Sequence, residues 1–441
     1  MKLPTLLQSL VKEAVMVCDR WRRENRLSKD VRYYYRYKVD KLVYVKGKCG
    51  FSGNIQPVQK EIWEVENLVK YIKNGPSFKN CVKYLAEEYA FNSPNPQTKA
   101  EYWLSLFLRK VLFDYLYERF KSERDIPVYV TIFVNDLEGN PIEWEIKVWL
   151  EGIWMGIERL EIERGLVIRK PKPYDLEYEF HAEGVPFPRK PHSCPSAIIE
   201  IKKRVEIQPF SYPELEKIIV ALQLYKVGSV VKTYVEWTPN SFLKSGGSIL
   251  LLPSWTLTYT YSIDEPDRKK LPQFIMRIKD MLPFEEARIS ASTPIGIALL
   301  RYQDALLKQE PFENKIARSV MGLEALYLKR GEKEELFRRL AQRVAKLLSF
   351  FGEDPIEAYD LIKKSYKIRS DYVHGAPVKI KGGEAKKILD KVIEYLRKSI
   401  LVFMQTKEEK STLLTLIDNA LLERQADKEL EEKLISKNIL Y

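Results

Sequence analysis

Leu336-Phe337-Arg338-Arg339-Leu340-Ala341-Gln342-Arg343-Val344-Ala345-Lys346-Leu347-Leu348-Ser349-Phe350-Phe351 sets Leu336, Phe337, Leu340, Val344, Leu347, Leu348 and Phe351 on one stripe. That is the 3.6-residue period of a helix with one buried face. The same period recurs at 293–309, 311–329, 355–374, 383–406 and 410–434, with only short connections between. Helices joined this tightly must return antiparallel, so residues 285–441 read as an all-α bundle. Its last helix carries Glu408, Glu409, Glu423, Glu429, Glu431 and Glu432 among lysines, the mark of a solvated or partner-contacting face.

Upstream of the bundle the period changes to two. Pro127–Val134 and Ile142–Leu150 flank Glu138-Gly139-Asn140-Pro141, a hairpin signal. Tyr174, Leu176, Tyr178 and Phe180 alternate with acidic residues, and Trp255, Leu257, Tyr259 and Tyr261 alternate with threonines. Ala197–Ile207 and Val230–Trp237 are also strand-like. Repeated strands with few helices between them predict an antiparallel sheet over 126–284, not a doubly wound nucleotide-binding fold. Residues 57–125 predict helices, through Ile62, Val65, Leu68, Val69 and Ile72, then Phe78, Cys81, Val82, Leu85 and Tyr89, then a buried segment Tyr102–Tyr117. The expected class is α+β: a basic N-terminal region over 1–125, a β-rich domain over 126–284, and the bundle over 285–441.

The length of 441 residues fits two or three domains, and an apolar fraction of 45 % supplies real cores. Seventy-three Lys and Arg against 61 Asp and Glu leave a charge of +12, which favours an anionic partner such as nucleic acid, or else marks a Lys- and Glu-rich solvated surface. No apolar run is long enough to span a bilayer, and Leu6–Val17, interrupted by Gln8, Lys12 and Glu13, predicts an amphipathic helix and not a signal peptide. Cys18, Cys49, Cys81 and Cys194 lie far apart, which predicts a reducing cytoplasm without a disulfide framework. With three histidines, His181, His192 and His374, no metal site and no cofactor are expected. His181 and His192 fall in the proline-rich run Pro171–Pro195, which reads as a loop.

The first fifty residues hold 13 Lys or Arg and 5 Asp or Glu. Within them Arg32-Tyr33-Tyr34-Tyr35-Arg36-Tyr37-Lys38 alternates cations and rings, so Arg32, Tyr34, Arg36 and Lys38 are candidate nucleic-acid contacts. The competing expectation is a plain β-strand, tyrosines on one face and cations on the other, turning at Asp40-Lys41.

The fourth bundle helix ends Tyr366-Lys367-Ile368-Arg369-Ser370-Asp371-Tyr372-Val373-His374-Gly375-Ala376-Pro377. Gly375 is a natural C-cap and Pro377 cannot continue the helix, so His374 occupies the last turn. Arg369 falls on the apolar stripe with Ile362, Tyr366 and Val373, and needs a partner or an anion. Glu324, among Val320, Met321, Tyr327 and Leu328 two helices earlier, needs one equally. An ion pair between them satisfies both; the alternative is a preorganised phosphate site beside His374.

An Arg-Ser-Asp-x-x-His-Gly closing a bundle helix, with Leu323-Glu324-Ala325-Leu326 two helices before it, resembles the HEPN superfamily (higher eukaryotes and prokaryotes nucleotide-binding), most closely its ApeA-like branch, over about residues 290–405. The resemblance implies that Arg369 and His374 are the Arg-x(4–6)-His ribonuclease motif, with Ser370 and Asp371 at its polar positions and Glu324 as the acidic residue of an earlier helix. It implies a homodimer through the bundle, with two motifs facing each other. The implied activity is metal-independent cutting of RNA in toxin–antitoxin or antiviral systems, although some members are non-catalytic. Ala376 stands where nucleotidyltransferase-regulated HEPN toxins carry a tyrosine, and the first 285 residues lack the βαβ rhythm of the CRISPR-associated members. The chemistry suits the residues: imidazole is acid or base near neutrality, and guanidinium grips a phosphate. The expectation is a cytoplasmic endoribonuclease acting on single-stranded RNA, its N-terminal region sensing a trigger, meeting a regulatory protein or positioning substrate, and with Asp371 placed to orient His374. The alternative is a non-catalytic nucleic-acid- or protein-binding module in which Arg369 and His374 are structural.

Overall fold

The computed structural model describes residues 2–45, 48–120, 123–181, 194–205, 213–251, 257–329, 331–377, 380, 382–436 and 439. The chain begins with α1 (Leu3–Arg23), a hairpin of β1 (Lys29–Val45) and β2 (Lys48–Trp63), then α2 (Glu66–Lys73), α3 (Pro76–Glu88), α4 (Pro96–Leu116) and α5 (Ile126–Leu137). The five helices close one core, in which Leu7, Leu10, Leu68, Ile72, Phe78, Leu85, Leu104, Phe107, Leu108 and Phe133 are buried.

Three expectations are corrected here. Residues 57–63 belong to β2, because seventeen-residue β1 supplies a partner along their whole length, from Tyr35 opposite Pro57 to Lys29 opposite Trp63. The strands also run past Asp40-Lys41, where only a bulge between Val39 and Lys41 interrupts the register, so the turn lies further on. Residues 126–134 are helix, not strand: Ile126, Val130 and Phe133, spaced by helical turns, bury against the core of α1–α4, and that packing overrides the β-propensity of a Val/Ile/Thr-rich run. The first core thus extends to Phe133.

Next come β3 (Ile142–Glu151), β4 (Ile153–Met155), β5 (Arg159–Glu163), β6 (Leu166–Arg169), the short α6 (Pro173–Leu176), β7 (Tyr178–His181) and β8 (Ala197–Val205). They are followed by α7 (Pro213–Tyr225), β9 (Val231–Pro239), β10 (Gly247–Leu250), β11 (Tyr261–Ile263), α8 (Asp267–Lys279), β12 (Phe284–Glu285) and β13 (Arg288–Ile289). Six of these form an antiparallel sheet in the order β10-β9-β3-β8-β6-β5, as the period of two predicts. Central β3 sends Trp144, Ile146, Val148 and Leu150 to one face. Trp149 points to the other, its ring 5.1 Å from Tyr234, where Val39 of the hairpin covers it. The alternating Tyr174–Phe180 run is split, since Pro173 opens a turn of helix before β7 pairs with β1. Helices α7 and α8, absent from the sequence expectation, supply Leu215, Ile218, Leu222, Leu271 and Ile275 to the sheet's main core. Of the run at 255–261, Trp255 lies outside the described residues and only Tyr261 enters a strand.

The bundle is α9 (Pro294–Leu307), α10 (Phe312–Tyr327), α11 (Leu336–Ser349), α12 (Pro355–Val373), α13 (Gly382–Thr406), α14 (Lys410–Ala420) and α15 (Arg424–Ser436). The expected single helix over 410–434 is broken between Ala420 and Arg424, and Leu422 in the break is fully exposed. The sheet and the bundle share one continuous core, so the second and third regions are a single packed body. Their seam is polar as well: the buried Arg397 of α13 donates to the carbonyls of Leu224 (2.7 Å) and Tyr225 (3.2 Å), and Tyr302 of α9 donates to that of Gln223 (2.7 Å). Cys194 is disulfide-bonded, contrary to four isolated thiols, while Cys18 and Cys81 are free and buried. Among the described residues no helix is long and apolar enough to cross a membrane.

Candidate active site at the end of α12

Helix α12 starts sharply. Asp354 Oδ1 accepts from the amides of Ile356 (2.9 Å) and Glu357 (2.8 Å), and Pro355 takes the first helical position. Ala358, Ile362, Ser365 and Ile368 form its buried face. Arg369 lies at the edge of that face, half-buried, with its Nη2 donating to Glu324 Oε2 at 3.1 Å across to α10. The guanidinium carbon is 5.7 Å from the Tyr366 ring centroid, and Phe337 lies 6.4 Å beyond Tyr366, so an aromatic wall backs the cation. The Nε–H of Arg369 is buried without a partner among the described residues, as is the Ser365 hydroxyl one turn earlier. Burial pushes the Glu324 carboxyl above its ordinary pKa and the Arg369 charge pulls against that shift. Burial raises the Tyr366 phenol too, helped by the charge of Glu324 and opposed by that of Arg369.

The helix closes with a Schellman cap. Ala376 N–H donates to the Asp371 carbonyl (2.8 Å) and Gly375 N–H to that of Tyr372 (3.2 Å), with Gly375 at φ +70°. The His374 amide donates to the Ser370 carbonyl at 3.0 Å. Ser370 and Asp371 thus act here through their backbones; among the described residues the Asp371 carboxylate makes no bond to the imidazole. His374 is exposed and its ring has no partner among the described residues. Five residues advance a helix by a full turn plus about 140°, so His374 and Arg369 point to different sides of α12. Phe337, Tyr372 and Val373 are apolar yet exposed by 44, 44 and 51 %. The stripe that buries Ile362 therefore reaches the surface by Val373.

The structure brings Glu324 and Arg369 together, puts Ser370, Asp371 and His374 on the same helix end, and leaves the β1 candidates far more engaged. Arg32 Nε pairs with Asp30 at 2.8 Å, Lys60 lies 5.6 Å over the Tyr34 ring, Arg36 faces Glu179 in the β1–β7 register, and Lys38 faces Asn54. Only the backbone of His181 is described, in β7, and His192 lies outside the described residues. Two features escaped the sequence expectations. One is Arg343, 2 % exposed, which ties Glu332, Asp418 and the Tyr327 carbonyl together. The other is a lysine-lined cleft between α2 and α3, signalled by Lys70-x-x-Lys73 and Lys79-x-x-x-Lys83 at helical spacing. Comparison with family models, with curated proteins and with solved structures finds no match to this chain.

Proposed function

We propose that the protein is a metal-independent endoribonuclease of HEPN type, a cytoplasmic defence or toxin effector that works as a homodimer on single-stranded RNA. One observation carries the reading: a half-buried guanidinium, bonded among the described residues through Nη2 to Glu324 and nowhere else, lies on the same helix as an exposed imidazole that has no partner among them. Arg369 offers donors to a phosphate in a partly desolvated setting, where they count for more than in water. Because His374 and Arg369 of one α12 point to different sides, the reaction spans two copies: one imidazole takes the proton of a 2′-hydroxyl, the 2′-oxygen bonds to phosphorus as the bond to the 5′-oxygen breaks, and a second imidazole returns a proton to that oxygen. One protomer has a single histidine in the bundle, so the second belongs to the other copy. The exposed Phe337, Tyr372 and Val373 beside the site give a second copy apolar surface to cover.

The 3.1 Å Glu324–Arg369 pair also favours a second reading, a non-catalytic module in which that pair is structural. The two separate in one experiment. Wild type and His374→Ala are incubated with labelled single-stranded RNA in excess EDTA. Cleavage by wild type alone supports the ribonuclease; RNA bound but intact with both proteins refutes it in favour of the module.

A further inference from the structure

Between α2 and α3, with α4 as its third wall, lies an open cavity of about 500 Å³ lined by Lys70, Lys73, Lys79 and Lys83 and by a single carboxylate, Glu101. Asn74 and Gln97 add amides, and the floor is the buried pair Phe78 and Val82. None of the four lysines is ion-paired among the described residues, whereas several other basic side chains of this region are: Lys12 with Glu123, Lys29 with Glu61, Arg109 with Glu66 and Lys110 with Asp114.

The charges of α3 run against its own dipole. Lys79 stands within the first turn or so after Pro76, Lys83 follows one turn on, and Glu87 and Glu88 occupy the last turn. A helix selected for stability carries the opposite arrangement, acids first and bases last. In α2 the last-turn Lys70 and Lys73 do complement the dipole, so stability accounts for those two and not for Lys79 and Lys83. An anion entering the cleft would offset Lys79, which stands near the positive end of α3.

We infer that this cleft holds the phosphodiester backbone of single-stranded nucleic acid, away from the α12 site. The inference rests on the proposed RNA chemistry and deepens it by naming the surface that retains the strand. A strand fits because the cations converge on a concavity instead of spreading over a plane. It replaces β1 as the main cationic contact, since Arg32 of β1 is tied to Asp30.

The test uses full-length protein carrying His374→Ala, so that RNA stays intact, and fluorescence anisotropy of a labelled single-stranded RNA at several NaCl concentrations in EDTA. Lys79→Gln/Lys83→Gln is compared with Lys269→Gln/Lys270→Gln, the same loss of charge on α8. Two phosphate contacts on a single strand contribute about 1.4 to the slope of log K against log[salt], so the affinity lost in the α3 variant should shrink about 7-fold between 50 and 200 mM NaCl. The α8 variant should keep the parent slope. Equal affinity and slope in both variants overturns the cleft while leaving the ribonuclease reading intact. Absence of RNA binding by the parent overturns both. Lysine-dependent binding to phosphatidylserine vesicles with none to RNA overturns the assignment in favour of a membrane surface. Both variants replace exposed side chains, and matching far-UV circular dichroism confirms that a lost affinity is not lost folding.

Discussion

Arg369→Ala tests the site most directly, because its cost follows from geometry. The pair is 3.1 Å apart, and the two side chains are 24 and 17 % exposed, between the surface and the deep interior. Exposed pairs contribute roughly 0–1 kcal/mol, and breaking a buried pair costs about 3–5 kcal/mol. For this intermediate burial the expected loss is about 2–3 kcal/mol near pH 8. The loss should depend on pH, with a sign that burial dictates. Glu324 already has a raised carboxyl pKa in the folded protein, and Arg369 is the group opposing that rise. Without the arginine the folded state binds a proton more readily than the unfolded chain, so stability falls as pH rises above the ordinary carboxylate range and returns on acidification.

The assay is urea unfolding at pH 5 and pH 8, followed by helix circular dichroism at 222 nm; the eight tryptophans all precede residue 256 and report on the bundle only indirectly. Arg369→Ala should be closer to wild type at pH 5 than at pH 8. Adding Glu324→Gln, which removes the stranded charge, should recover at least ~1 kcal/mol at pH 8. A loss below ~0.5 kcal/mol, the same loss at both pH values, or no recovery in the double variant would refute the reasoning.

Gly375→Ala places a side chain at φ +70° where nothing lies within 4 Å, so only backbone strain is added; it should cost about 1 kcal/mol by thermal unfolding and slow RNA cleavage through the displaced His374 cap. Asp354→Ala removes two hydrogen bonds accepted from backbone N–H groups at the other end of α12 and should cost about 1 kcal/mol without abolishing cleavage in the EDTA assay. Arg343→Ala strands Glu332 and the Tyr327 carbonyl and should cost about 3–5 kcal/mol in urea. Burial works against the Glu332 carboxylate, but Arg343, the Lys329 amide and the charge of Arg339 hold its pKa down to about 2. Its stabilisation is therefore present above the ordinary carboxylate pKa and lost as pH falls towards 2, so Glu332→Gln should flatten that limb of the stability–pH curve.

The bundle was legible because its signal is local: Leu340, Val344 and Leu348 repeat at the helical period, and Gly375 and Pro377 mark where α12 stops. The Glu324–Arg369 pair was legible for the same reason, as each is a charge on an otherwise apolar stripe. What misled was context supplied by distant chain. Ile126–Val134 has the composition of a strand, and becomes helix because α1–α4 offer a face for Ile126, Val130 and Phe133. Residues 57–63 have a helical pattern of apolar positions, and become strand because β1 is long enough to pair them. The rings and charges of β1 looked available, although Arg32 pairs with Asp30 two residues before it and Lys60 of β2 lies over the Tyr34 ring.

The continuity of the sheet and bundle core changes what the bundle can do by itself. Cutting the chain near residue 285 would take the Leu224 and Tyr225 carbonyls from Arg397, which is 5 % exposed, and the Gln223 carbonyl from the fully buried Tyr302. Each is a buried donor that would have to find water or another acceptor, and stranding such groups is costly. It would also uncover the apolar faces of α9 and α13 that share the core of the sheet. Glu324 sits on α10, packed between those helices and α12. The carboxylate that positions Arg369 is therefore held by the same core that α7 and the sheet complete. The β-rich region and Glu324 are joined by packing and not by a linker; whatever shifts the end of α7 against α9 and α13 strains the packing around α10 directly. The motif is carried by the bundle, but the rigidity that would make it a preorganised site belongs to the sheet and bundle together.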